Sequence, residues 1–318
     1  MRLKVLISLG KHFYEAFPYL GQWLRQEGLE VIEQVDSDQE PPRALLEQLI
    51  ANADIYVVGV DRVDQELMNA APNLKLIVKH GAGYDNIDLD CAKRRHIPVT
   101  FAPGCNAQSV AEFAVAMMLS LCRGIAQCGA EVRAGQWQLF MGYELSGKNL
   151  GLIGYGNIGR RVASIAKAFG MRVLVVDPFL SEEQVEADGV HLVTLDEALE
   201  QADVLSLHAP STKENFHLIN EHTLRQMKAS AYIINTARGS LVDEQALVQA
   251  LREGRLQGAA MDVFQHEPPT QEITALPHTI CTPHIGGCTY DSAEALARMS
   301  FENIMHFINQ QPLVNRLV

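Results

Sequence analysis

The stretch GLIGYGNIGRRVASIAKAFGMRVLVVD, Gly151 to Asp177, decides how the rest of this chain is read. An apolar run from Leu150 to Ile153 leads into Gly154, Gly156 and Gly159 in GxGxxG spacing, then a helix-compatible segment ending at Gly170, then a second apolar run, Val173 to Val176. Strand, glycine turn, helix and strand in that order suit a dinucleotide: one glycine for the tight turn, one for close approach of backbone to pyrophosphate, one for helix–strand packing. The N–H groups of Asn157 and Ile158 open the helix, where they face phosphate. Asp177 ends the second run about 18 residues past Gly159, where an acid holds ribose hydroxyls and repels the extra phosphate of NADP, so the cofactor is read as NAD. Arg160 admits two readings, a phosphate contact or a solvated first-turn residue.

A chain of 318 residues is long for one hydrophobic core and suggests two domains. At 47% hydrophobic and 20% charged it has a globular composition. The formal charge of -12 argues against binding nucleic acid or anionic membranes, which needs clustered Lys and Arg. No apolar run approaches the ~20 residues that span a bilayer. The six cysteines include no CxxC pair and no Cys/His ligand spacing, which reads as reduced thiols in the cytoplasm and no metal site.

Before the glycine fingerprint, apolar runs at Leu3–Ser8, Val31–Val35, Ile55–Val60, Leu74–Val78 and Ile97–Thr100 alternate with helical patterns near His12–Gln26, Pro42–Ala51, Asp64–Ala71 and Leu89–Arg95. Such alternation predicts a parallel sheet with helices on both faces. The fourth run leads into Lys79, His80, Gly81, Ala82 and Gly83. The two glycines there form either an anion-binding nest or a plain strand-to-helix turn, and Lys79 either meets an anionic substrate or is solvated. Asn106 stands at the start of an apolar-rich helix running to Arg123, as a cap or as a site residue.

After the fingerprint, strands are expected at Val204–Leu207, Ala231–Asn235, Gly258–Val263 and Thr279–Thr282, with polar residues gathered at their ends. These are His208 and Pro210; Thr236, Ala237 and Arg238; Asp262, held in the third strand, with Glu267 beyond it; and His284 with Gly286. Arginine supplies a planar fork for a carboxylate, histidine titrates nearest neutrality, and a neighbouring carboxylate orients the imidazole. A terminal helix from Asp291 to Asn309 carries Ala295, Met299, Ile304 and Phe307 as its expected apolar face, packed back on the first unit.

Six segments in order, GAGYDNID from Gly81, PGCNAQSVAE from Pro103, GLIGYGNIG from Gly151, INTARGSLVDE from Ile234, MDVFQHEPP from Met261 and TPHIGG from Thr282, make the chain similar to the D-isomer-specific 2-hydroxyacid dehydrogenase family over nearly its whole length. The resemblance implies an α/β fold of two Rossmann-like lobes with parallel sheets: a discontinuous, flavodoxin-like substrate lobe, residues 1–101 and 287–318, and an NAD-binding Rossmann lobe, residues 102–286. It implies that Arg238 binds the carboxylate and carbonyl of a 2-keto acid, that His284 exchanges the proton and that Glu267 supports it. The Gly81–Ala82–Gly83 loop would hold the carboxylate, with Lys79 and Asn106 beside the substrate. Asp177 would take the ribose, Thr236 and Ala237 would line the cofactor, and Asp262 would bind the nicotinamide amide. Formate dehydrogenases of the superfamily carry Gln where this chain has Glu267, so a hydroxy-acid reaction is expected, on glyoxylate, hydroxypyruvate, a pyruvate-like acid or phosphohydroxypyruvate. Lys79 occupies the position of a basic residue of phosphoglycerate dehydrogenases, and Lys11 and His12 follow the first strand at the same edge. A homodimer is implied, through the helix from Asn106 and its neighbours. Because the family extends to corepressors that keep the fold and triad, an NAD-responsive binding protein is the alternative.

Overall fold

The computed structural model describes residues 2–318, which divide into two compact units, Met1–Asn106 with Cys288–Val318, and Ala107–Gly287. In the first unit five strands, β1 (Lys4–Ser8), β2 (Glu30–Gln34), β3 (Ile55–Val58), β4 (Leu76–Lys79) and β5 (Val99–Thr100), form one parallel sheet in the order β2-β1-β3-β4-β5. That is the flavodoxin-like doubly wound order, with its switch point between β1 and β3. The runs IYVV and LIVK of β3 and β4 are buried at every position, because helices cover both faces of a parallel sheet.

The second unit holds seven parallel strands: β6 (Asn149–Ile153), β7 (Arg172–Val176), β8 (His191–Leu192), β9 (Val204–Leu207), β10 (Tyr232–Asn235), β11 (Gly258–Met261) and β12 (Thr279–Cys281). Their order, β12-β11-β10-β9-β6-β7-β8, is that of a Rossmann sheet with one strand added at the far edge. The helices Ala107–Arg123 and Asn157–Ala168 pack on one another and against this sheet.

Local chemistry corrects several expected boundaries. The helix expected over His12–Gln26 is two helices, Lys11–Ala16 and Tyr19–Gln26. Pro18 disfavours helical backbone at Phe17, which sits at φ -147°, and the chain turns there. Strand β11 stops at Met261, so Asp262 stands beyond the sheet edge rather than inside the strand. A helix over Ile125–Arg133, started by Gly124 in the left-handed region, was not foreseen. The terminal helix spans Tyr290–Ile308, is capped by Thr289, and packs on the helix Tyr19–Gln26 and on β4. Its buried face is Ser292, Ala293, Leu296, Ala297, Ser300, Asn303 and Ile304; of the four apolar residues expected there only Ile304 is buried. Ser300 and Asn303 are polar but satisfied, Ser300 by the His80 ring at 2.9 Å and Asn303 by the Val314 N–H at 2.9 Å. Among the described residues no single helix is long and apolar enough to cross a membrane.

Candidate active site

The three fingerprint glycines differ in what surrounds them. Gly154 has φ +94°, and a Cβ on it would lie 2.7 Å from the Ala209 nitrogen, so it serves the turn and the close approach of the loop after β9. A Cβ on Gly159 would lie 2.3 Å from the Gly154 oxygen, which makes it the packing glycine. Around Gly156, the residue that caps the helix Asn157–Ala168, a Cβ would meet nothing within 4 Å. The space that a side chain would fill lies at a helix N-terminus, where phosphate is favoured. Asp177 is oriented by two backbone donors, Tyr155 N–H at 2.9 Å and Phe179 N–H at 3.0 Å, and each of its oxygens keeps a lone pair for a ribose hydroxyl. Arg160 is exposed, as the solvated reading has it, and its guanidinium pairs with Asp188 at 2.6 Å and lies over the Tyr155 ring.

The neighbouring strand ends supply further polar groups. At the end of β9 the His208 Nε2 meets Ser206 Oγ at 2.9 Å, while its Nδ1 is shut from solvent and makes no hydrogen bond among the described residues. Burial pushes the His208 pKa down to about 3, so the ring is neutral. Pro210, two residues on, is exposed, and its carbonyl accepts from Asn215. At the end of β10 the Thr236 Oγ1 is likewise buried and without a partner among the described residues. Two orphaned polar atoms, an open glycine cradle and a held acid fit a dinucleotide.

Arg238 follows directly. Asn235, fully buried, accepts the Ala237 N–H at 3.0 Å and donates to the Arg238 carbonyl at 2.9 Å, which shapes the turn; the arginine's own guanidinium donates to the Ala237 carbonyl at 2.7 Å. Gly239 lets this turn lie on the next strand end, since a Cβ there would fall 1.9 Å from the Phe264 carbonyl carbon. Neither Asn235 nor Gly239 stands out in the sequence, where an asparagine ending a strand and a glycine after an arginine are the only signals.

Asp262, 1% exposed, is the centre of the last two strand ends. Its Oδ1 accepts from Thr282 Oγ1 at 2.6 Å and Ile285 N–H at 2.8 Å, and its Oδ2 accepts from Gly286 N–H at 2.8 Å. Expected as a nicotinamide contact, it also holds the Thr282–Gly286 turn. A Cβ on Gly286 would press on that carboxylate at 3.0 Å. Within the turn His284 takes φ +56°, a left-handed conformation unusual for a side chain other than Gly or Asn, and its N–H donates to the Asp262 carbonyl at 2.9 Å. The His284 Nδ1 then meets Glu267 Oε2 at 3.0 Å, and Glu267 Oε1 accepts the Phe264 N–H at 3.2 Å. Burial raises the Glu267 pKa, but the hydrogen bond and charge of His284, the Phe264 N–H and the Arg238 charge outweigh it and hold the carboxyl below its ordinary range. A carboxylate on Nδ1 makes Nε2 the atom that exchanges a proton.

In the first unit, the Gly81–Ala82–Gly83 loop follows β4, with the His80 N–H on the Val58 carbonyl and the Ala102 N–H on the Gly81 carbonyl. Lys79 is 8% exposed, which overturns the solvated reading; its Nζ donates to the Gly59 carbonyl and to Asn86 Oδ1. The helix after Asn106 begins at Ala107, and the buried Asn106 Oδ1 accepts no hydrogen bond among the described residues, so it is not a cap. No cluster of metal-ligating side chains occurs among the described residues.

A family model described as D-isomer specific 2-hydroxyacid dehydrogenase, NAD binding domain, matches residues 115–286. The glyoxylate reductase of Thermococcus litoralis is 37% identical over 306 residues, 91% of this chain and 92% of that protein. The D-3-phosphoglycerate dehydrogenase of Archaeoglobus fulgidus is 39% identical over 297 residues, 92% of this chain and 56% of the longer relative. Among solved structures, D-lactate dehydrogenase from Aquifex aeolicus, complexed with NAD and lactic acid, superposes with a TM-score of 0.84 at 33% identity, over 96% of each chain. The chain belongs to the D-isomer specific 2-hydroxyacid dehydrogenase family, NAD-linked oxidoreductases acting on CH–OH groups.

Proposed function

We propose that this protein reduces a small 2-keto acid reversibly to the D-2-hydroxy acid with NADH. The observation that carries the reading is the Glu267–His284 hydrogen bond at 3.0 Å, set beside the Arg238 turn at the mouth of a dinucleotide-binding sheet. NADH, when bound, supplies the hydride. Arg238 holds the carboxylate and polarises the carbonyl, His284 delivers the Nε2 proton to the developing alkoxide, and Glu267 stabilises the imidazolium before transfer. The N–H groups of Gly81, Ala82 and Gly83 hold the acid's carboxylate, and the Asn106 amide is proposed to bind the substrate with them. Gly154, Gly156, Asn157, Ile158 and Gly159 hold the pyrophosphate, Asp177 the ribose; His208, Pro210, Thr236, Ala237, Asp262 and Gly286 line the nicotinamide half. Asp177 sets the preference for NADH over NADPH through charge.

The protein is proposed to act in the cytoplasm as a homodimer. Trp137, Leu139 and Met141 are 86%, 93% and 88% exposed on one arm, and Ile125 and Val132 are exposed on the adjoining helix. Apolar side chains so concentrated favour cover by a second copy.

The test is a spectrophotometric panel of glyoxylate, hydroxypyruvate, pyruvate and phosphohydroxypyruvate, each with NADH and NADPH. Oxidation of NADH by at least one acid is expected. Failure of every acid, with NADH still bound, would turn the reading toward a cofactor-responsive binding protein.

A further inference from the structure

Asp177 is aimed by a residue set between two glycines. Tyr155 donates its backbone N–H to Asp177 Oδ2 at 2.9 Å, and it stands between Gly154, at φ +94°, and Gly156, where the backbone has the fewest conformational restraints. That N–H is therefore fixed by the side chain it belongs to. The Tyr155 ring is 3% exposed within the core cluster that includes Val162, Val175 and Val185, and a Cβ on Gly159 would lie 3.8 Å from its Cδ2. The hydroxyl reaches Asp188 Oδ2 at 3.0 Å. The same oxygen accepts Arg160 Nη1 at 2.6 Å, and the guanidinium carbon lies 4.5 Å from the centre of the Tyr155 ring. Asp188 is held through its own backbone: its N–H donates to the Val185 carbonyl at 3.0 Å and its carbonyl accepts from Lys167 Nζ. Burial, then the hydrogen bond and charge of Asp188, push the Tyr155 pKa up to about 12, so the hydroxyl stays protonated and donates.

We infer that Asp188 is a positioning residue for the cofactor: by holding the Tyr155 hydroxyl it fixes the glycine-flanked N–H that aims the Asp177 carboxylate at the ribose. The inference rests on Asp177 as the ribose acid. The Arg160 and Asp188 side chains are 43% and 42% exposed, and an ion pair so placed adds little stability on its own. The buried hydroxyl on the same oxygen gives the pair a second task. A carboxylate that meets ribose hydroxyls loses affinity when it tilts, because hydrogen bonds are directional.

Titration with NADH, followed by fluorescence, reads the effect without turnover. Asp188→Ala should raise the NADH dissociation constant about five- to tenfold, and Tyr155→Phe, which keeps the ring, by a similar factor. Asp188→Asn keeps an oxygen for the hydroxyl and should stay within about threefold of wild type. At saturating NADH all three should keep kcat within about twofold, since the Glu267–His284 pair stands at other strand ends. In an Asp177→Ala background, Asp188→Ala or Tyr155→Phe should weaken NADH by less than about twofold, because the acid they serve is gone. An undiminished loss in that background overturns the inference. So does wild-type NADH affinity in Asp188→Ala or Tyr155→Phe, or an Asp188→Asn protein as weak as Asp188→Ala. Urea unfolding checks that each variant is folded; should Asp188→Ala fail to fold, Tyr155→Phe in the two backgrounds decides. Wild-type NADH affinity in Asp177→Ala alone overturns the ribose reading, and this one with it.

Discussion

Asp262→Asn keeps the shape of a buried side chain and changes one atom from acceptor to donor. In the native turn both carboxylate oxygens are taken, Oδ1 by Thr282 Oγ1 and the Ile285 N–H, Oδ2 by the Gly286 N–H. Whichever way the amide faces, its NH2 meets a donor; the cheaper choice turns it to Gly286, whose N–H is buried. One charge-assisted hydrogen bond is lost and one buried N–H is left unpaired, together about 2–4 kcal/mol. For a domain of this size that is a fall in Tm on the order of 10 °C. The same bonds hold His284 at φ +56°, so the imidazole should also lose its position and kcat should drop roughly a hundredfold. Urea unfolding, thermal melting and steady-state rates on the one variant measure all three effects. Stability within about 0.5 kcal/mol of wild type together with kcat within twofold would refute the assignment of Asp262 as the post that positions His284.

Two further outcomes follow from the geometry. Asp177→Ala should narrow the NADH over NADPH ratio of kcat/KM by about tenfold or more, since the charge that repels a second phosphate is gone; an unchanged ratio would remove Asp177 from the ribose site. His80, 8% exposed and paired with Ser300, has its pKa pushed down to about 3 from 6.5 by burial and then by the Lys79 charge. Below pH 6.5 the unfolded chain therefore takes a proton that the native ring refuses, and stability falls as pH drops toward 3. The slope from this one ring is at most about 1.4 kcal/mol per pH unit. His80→Gln should lose correspondingly less on going from about pH 6 to pH 5, and wild-type and variant urea curves that shift in parallel would contradict the neutral ring.

How far the sequence could be read depended on whether a residue's task is local. The glycine fingerprint is local: turn, approach and packing fall on Gly154, Gly156 and Gly159, and the surroundings of each match one task. That both sheets are parallel also follows from alternating runs, because parallel strands need helical crossovers, whereas the lobe topologies were expected only from the family resemblance. Residues whose role comes from distant partners were not legible. Ser300 and Asn303 are buried because His80 and Val314 satisfy them, and a search for apolar periodicity passes over both. The turn-holding task of Asp262 shows only when its three donors, 20 to 24 positions away, are in place. Lys79 reads as a surface charge or a substrate contact until the Gly59 carbonyl and Asn86 accept its ammonium in a buried position.

The most direct test of the account is His284→Ala, followed by two readings on one preparation: NADH binding by fluorescence titration and turnover with the best 2-keto acid of the panel. Binding should stay within about threefold of wild type while kcat falls by at least about a hundredfold, because the Nε2 proton donor is gone and the dinucleotide cradle is not. Turnover near the wild-type rate would contradict the central claim that the Glu267-held imidazole is the acid of this reaction.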